Sequence, residues 1–270
     1  MLGCDTVEPE PDVLVVEAFV QPNQPLPTIR ASRAVPLDQP YQATPATGAE
    51  IVFFLDGRRQ AYEPAATPGS YQSVTGMLAL PGQSFSLTVR HQGDVATGEG
   101  TVPPLLTVDS VHVGVPAAPI RAVLLDSLAL PLDTLAVSQT GFIYPIDVTI
   151  WWNAPGTTAD FWVETSVVPV ESFSSRLIDF FLPSTSVLEE PPASLGQRSW
   201  TGVYAVPVSG AEDPMPAHRI RAAVVRGSLD YARYALSRND PERREPISNV
   251  NGGIGIITGI ALDSLSVHVQ

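Results

Sequence analysis

Proline interrupts this chain about once in every ten residues, 27 times in 270, and that spacing limits what the chain can fold into. Inside a helix, a proline removes a hydrogen bond and collides with the preceding turn, so long helices and coiled coils are disfavoured. Between the prolines lie short runs rich in β-branched and aromatic residues, the pattern of many short strands joined by turns. Val13-Leu14-Val15-Val16-Glu17-Ala18-Phe19-Val20 reads as the first strand. Ala49 to Leu55 reads as another and ends at Asp56-Gly57, the strongest hairpin signal in the chain. Pro68-Gly69 and Pro81-Gly82 mark further turns, and Ser84 to Arg90 alternates polar and apolar residues as a half-buried strand does. Turn signals this regular predict an immunoglobulin-like β-sandwich over residues 13–104, bounded by Pro103-Pro104.

The pattern stays β beyond that boundary, so residues 105–270 are expected to form a second β domain, sandwich-like in the fibronectin manner, with one or two short helices. Leu106-Thr107-Val108-Asp109-Ser110-Val111-His112-Val113 echoes Leu262-Asp263-Ser264-Leu265-Ser266-Val267-His268-Val269, and Leu125-Asp126-Ser127-Leu128 repeats the theme. Spacings so irregular do not make a solenoid; each reads as a turn whose Asp and Ser bond local amides. Ile146 to Asn153 and Asp160 to Thr165 look like paired strands around Ala154-Pro155-Gly156. One helix is expected over about 170–181, with Phe173, Leu177 and Phe181 on one stripe. A second is expected from a Ser228 cap through Leu229, Ala232 and Leu236, stopping before Pro241.

Charge narrows the function classes. The formal net charge is −13, and every one of the fifteen basic residues is arginine. Without clustered cations such a chain is a poor nucleic-acid ligand. It is also repelled by anionic lipid headgroups, so a membrane attachment is expected to be covalent.

The chain has one cysteine, Cys4, which excludes an internal disulfide and an all-cysteine metal site. Met1-Leu2-Gly3-Cys4 resembles the end of a bacterial lipoprotein signal, in which a small residue precedes the cysteine that is acylated; the alternative is an incidental thiol. A diacylated cysteine supplies the two-chain anchoring that one acyl chain cannot. Asp5 to Asp12 is acidic and proline-bearing, a leash with nothing to pack, so residues 1–12 read as anchor and tether. In Bacteroidota lipoproteins, acidic residues behind the cysteine resemble the signal that directs the protein to the outer face of the outer membrane. No later segment has the apolar length needed to span a bilayer.

Tyr231-Ala232-Arg233-Tyr234, followed by Glu245-Pro246-Ile247-Ser248-Asn249-Val250-Asn251-Gly252-Gly253-Ile254-Gly255-Ile256-Ile257, resembles the close of a Bacteroidota lipoprotein family, domain of unknown function 4249. The lipid-type cysteine, the early Val-rich strand, Gly69-x-Tyr71 and Pro81-Gly82-x-x-Phe85 fit the same family. Ile257 departs from it, since an aromatic is common at that point. The resemblance implies no activity that can be carried to particular residues. It does imply an accessory surface role beside TonB-dependent outer-membrane transporters. Read physically, Asn251-Gly252-Gly253 is a tight turn or bulge; a phosphate loop would need a following Lys and helix that the sequence lacks.

Catalytic and metal-binding patterns are sparse. His91, His112, His218 and His268 form no metal-binding spacing, and no Gly-x-Ser-x-Gly elbow is present. Glu189-Glu190 would point to opposite sides of a strand, which leaves a solvated loop as the better reading than a glycosidase pair. Asp109, Asp126, Asp133 and Asp263 read as turn caps rather than calcium ligands. No catalytic residue, metal or cofactor is therefore expected. Trp151, Trp152 and Trp162, with Trp200, are the residues that could form a ligand or partner surface, for instance for a glycan or peptide. Trp151 and Trp152 must face opposite sides of a strand, and burial of both is the commoner outcome for tryptophan. The expected function is a non-catalytic surface lipoprotein associated with a TonB-dependent transporter; the alternative is an adhesion or envelope-scaffold protein.

Overall fold

A computed structural model describes residues 13–34, 43–125, 138–154, 161–169, 188–189, 198–238 and 247–270. Cys4, the tether and the helix expected over 170–181 lie outside the described residues. The chain divides into two units, one of Met1–Leu105 with Arg226–Ala261, the other of Leu106–Val225 with Leu262–Gln270.

The first unit opens with nine strands: β1 (Leu14–Val20), β2 (Ile29–Arg33), β3 (Thr44–Pro45), β4 (Glu50–Leu55), β5 (Arg58–Gln60), β6 (Tyr62–Pro64), β7 (Ser70–Ser73), β8 (Ser84–His91) and β9 (Asp94–Thr101). Later in the chain come β10 (Thr107–Gly114), β11 (Ile120–Leu125), β12 (Ser138–Asn153), β13 (Phe161–Pro169), β14 (Leu188–Glu189), β15 (Ser199–Val208) and β16 (His218–Gly227). A helix, α1 (Leu229–Arg238), and a long last strand, β17 (Ile254–Val269), complete the order. The described residues are mostly β, in agreement with an all-β sandwich.

In the first unit one sheet runs β17-β1-β2-β7-β6, with β3 paired to β2, and a second runs β5-β4-β8-β9. Strict alternation builds the core between them. Leu14, Val16, Ala18 and Val20 of β1 are buried, as are Phe85, Leu87 and Val89 of β8. Phe53 and Phe85 stack at 6.2 Å with rings 7° apart. Asp56-Gly57 makes the β4–β5 hairpin with positive φ at both residues, 47° and 73°, the geometry its sequence predicts. Tyr71 is pinned twice: its hydroxyl donates to the Ala46 carbonyl at 2.5 Å and accepts from the Ala49 amide at 2.8 Å. The residues that carried the family resemblance here, Tyr71 and Phe85, are thus core and loop anchors.

The sequence assigned 105–270 to a second domain, but residues 226–261 group with the first unit. The reason is an unfilled edge. β1 pairs with β2 on one side, and its other side takes β17 in parallel, from Val15↔Ile254 to Val20↔Gly259. That partner is more than 230 residues away, so no local pattern announces it. The glycine-rich segment serves this pairing. The Asn249 side chain accepts from the Ile257 amide at 2.9 Å and donates to the Ile257 carbonyl at 2.8 Å, acting as a short substitute strand. Gly255 has φ 119°, and any side chain there would collide with the Val16 carbonyl oxygen. The expected turn is at Gly252, whose φ is 74°.

In the second unit β12 carries β15 along one edge, while β10 and β11 pair with its C-terminal and N-terminal parts. The expected pairing of 146–153 with 160–165 does not form. β12 bonds β10, β11 and β15, while β13 pairs with β14 and neighbours β16. Both segments are apolar enough for either arrangement, and the ten-residue ladder between β12 and β15 wins. Asp263 caps locally, accepting from the Ser264 amide at 2.8 Å, and also accepts from the Val108 amide at 2.8 Å. Neither aspartate sits in the expected turn: Asp109 lies in β10 and Asp263 within β17, so the two echoing segments are strands, joined through the Asp263 side chain.

Candidate functional site

β1 has a second face. Its odd residues Val15, Glu17 and Phe19 point away from the sandwich core and are half-buried. Part of this face is covered by α1, which starts where expected: the Ser228 hydroxyl accepts from the Tyr231 amide at 3.3 Å. Of the residues named for this helix, Ala232 is buried and Leu229 exposed; Tyr231, Ala235 and Ser237 are buried as well. Tyr231 meets Phe19 edge-on, with ring centroids 6.4 Å apart and planes at 83°. Tyr234 donates to the Glu17 carboxylate at 3.4 Å.

Next to these contacts the face opens into a cleft of about 400 Å³. Glu17 and Phe19 come from β1, Arg30 from β2, and Gln21 and Gln24 to Thr28 from the connection between the strands. Glu17 and Arg30 are direct partners in the β1–β2 register, so a carboxylate and a guanidinium share one face. The connection is held in shape from behind. Asn23 donates to the Ala79 carbonyl at 2.7 Å, Ala79 to the Gln24 carbonyl at 3.0 Å, and Leu26 to the Met77 carbonyl at 3.2 Å. Tyr62 donates to the Pro27 carbonyl at 3.1 Å, and burial lifts its pKa far above the ordinary tyrosine value, so it stays a donor. The loop that braces the cleft exposes Val74, Met77, Leu78 and Leu80, and no charged residue lies between Glu63 and Arg90.

Trp151, Trp152 and Trp200 do not form one surface. Trp151 is 41% exposed and Trp152 only 2%, on opposite faces of β12 as strand geometry demands. Trp151 shares its open face with Thr149 and Thr201, whose hydroxyls lie 3.0 Å apart, and with the exposed His112. Trp200 lies across from the buried Ile150 and is half-buried. For Trp162 only the strand β13 is described, not the side chain.

The histidines occupy separate settings. His91 is buried, with Nε2 3.2 Å from the Thr47 carbonyl and Nδ1 3.4 Å from Arg33, which also bonds Asp94 at 2.5 Å. His218 is buried between the Pro216 carbonyl, 2.8 Å from Nδ1, and the Tyr204 hydroxyl at Nε2. Burial pushes its pKa down against the raising effect of the Pro216 carbonyl, and burial pushes that of Tyr204 up. With Nδ1–H donating to Pro216, Nε2 accepts from Tyr204, so the neutral imidazole fits. His268 is exposed and accepts from Arg219 at 3.2 Å. Among the described residues no group of three or more His, Cys, Asp or Glu could hold a metal ion. No helix among them is long and apolar enough to cross a membrane.

A family model matches residues 4–186, well over half the chain. The chain belongs to the family Domain of unknown function (DUF4249). The match starts at Cys4 and takes in β1, the cleft connection, Tyr71 and Phe85, but not α1 or the Asn249-to-Gly255 segment. Among curated proteins and solved structures, none matches the chain. The cleft thus lies in the part of the chain that defines DUF4249 membership. Sequence reasoning passed over it, although the alternate placement of Glu17 and Phe19 in an otherwise aliphatic strand was a usable signal.

Proposed function

We propose that this DUF4249 member is a non-catalytic binding module, held by a lipid on Cys4 at the outer face of the outer membrane, and an accessory to a TonB-dependent uptake system. The observation that carries the reading is the open cleft over the face of the paired strands β1 and β2 and their connection, which joins polar and apolar groups. The small residue before Cys4 and the acidic leash behind it support the anchor. The uncharged loop exposing Val74, Met77, Leu78 and Leu80 beside the cleft suits a protein partner, since apolar side chains grouped on a surface mark contact sites.

The test is purification of the natively acylated, full-length protein from its own outer membranes, followed by mass spectrometry. A stoichiometric TonB-dependent transporter and a diacylated Cys4 are expected. A partnerless lipoprotein would overturn the accessory role in favour of adhesion or scaffolding, and an unmodified Cys4 would overturn the anchor.

A further inference from the structure

We propose that the β1–β2 cleft binds a neutral saccharide, an inference that rests on the binding-module reading above. The cleft measures about 400 Å³, within the range of about 300–1,000 Å³ typical of small-ligand sites. Among the described residues its charged lining residues are Glu17 and Arg30, which are of opposite sign and direct partners in register, so together they offer no net charge to an ion. An anionic ligand would also meet a chain of net charge −13. A purely apolar ligand would strip water from Glu17, Arg30, Gln21, Gln24 and Thr28 and return no hydrogen bonds.

A peptide added as an extra strand finds no ladder here. β1 is already paired with β2 and β17, and β2 with β1, β3 and β7. A sugar meets the remaining conditions. Each of its hydroxyls both donates and accepts, which matches an acceptor-only carboxylate, a donor-only guanidinium and two amides that do both. Its C–H face matches the Phe19 ring, which Tyr231 braces from the side, and the flanking Pro25 and Pro27.

The experiment is titration calorimetry of the full chain with maltotriose, cellotriose, xylotriose and chitotriose, with trigalacturonate and tri-alanine as comparators. Saturable binding of at least one neutral trisaccharide is expected, weakened at least tenfold by Arg30→Ala and by Phe19→Leu. Arg30 is exposed, so Arg30→Ala should keep the wild-type melting curve, while Phe19→Leu loses the edge-on contact with Tyr231 and should melt somewhat lower but still cooperatively. Binding of none of the four, binding of only the acidic sugar or the peptide, or neutral binding unchanged in both variants would overturn the proposal. The two readings fail separately. A transporter that co-purifies with a protein blind to sugars leaves the accessory role standing, while sugar binding without a transporter leaves only the saccharide site.

Discussion

Tyr71 shows how much one hydroxyl can hold. It serves both Ala46 and Ala49, so Tyr71→Phe leaves a buried carbonyl and amide without that partner. Destabilisation of about 1–3 kcal/mol is expected, read as a lower urea midpoint with an unchanged slope. His218 makes a pH-dependent contribution of definite sign. Its imidazole stays neutral in the native state below the value of about 6.5 at which the unfolded chain takes up a proton. The unfolded state therefore binds more protons in that window, and stability falls as pH drops from about 6.5 towards the lowered native value. His218→Asn should flatten this part of the stability–pH curve measured by chemical denaturation; an unchanged slope would assign it to other groups. Tyr71 was legible in the sequence as part of a motif, whereas the Tyr204–His218 pair was not, because its members lie on different strands, β15 and β16.

At the scale of elements, capping and clamping join α1 and β17 to the first sheet. Ser228→Ala removes the bond to the Tyr231 amide and the contact with the Thr258 hydroxyl at 2.8 Å. A cost of about 0.5–2 kcal/mol is expected, seen as a lower melting temperature. Asn249→Ala removes both bonds to Ile257 and should cost about 2 kcal/mol, with faster hydrogen exchange concentrated in Ile254 to Gly259. Exchange that rises evenly over the whole chain would mean that Asn249 does not act through β17. The helix start, the Asp56-Gly57 hairpin and the β8 alternation could be read locally, since each depends on neighbouring residues. The buried side of α1 could not. Leu229 is the more apolar candidate, yet the helix turns Tyr231 to the sheet because Phe19 and Glu17 are there to receive it.

For the whole molecule, the discontinuous first unit makes a direct prediction. A fragment ending at Leu105 stops one residue past the boundary the sequence suggests and lacks β17 and α1. It leaves the β1 edge open and Phe19 uncovered, an invitation to aggregation. Such a fragment should show no cooperative thermal transition and should elute as aggregate, whereas the full chain melts cooperatively. A monomeric, cooperatively folding 1–105 fragment would show that the C-terminal residues are dispensable to the first unit.

By itself the sequence determined the all-β class, the hairpin turns, the caps and the alternating core positions, because these follow from φ preferences and side-chain periodicity over a few residues. Only the tertiary structure decided which strand fills the edge of β1, which ladder β12 joins, and which of Trp151 and Trp152 meets solvent. Those outcomes depend on competition between apolar surfaces far apart in the chain. The cleft belongs to the second group. Glu17, Phe19 and Arg30 are ordinary strand residues until pairing puts two of them in register and α1 covers only part of their face.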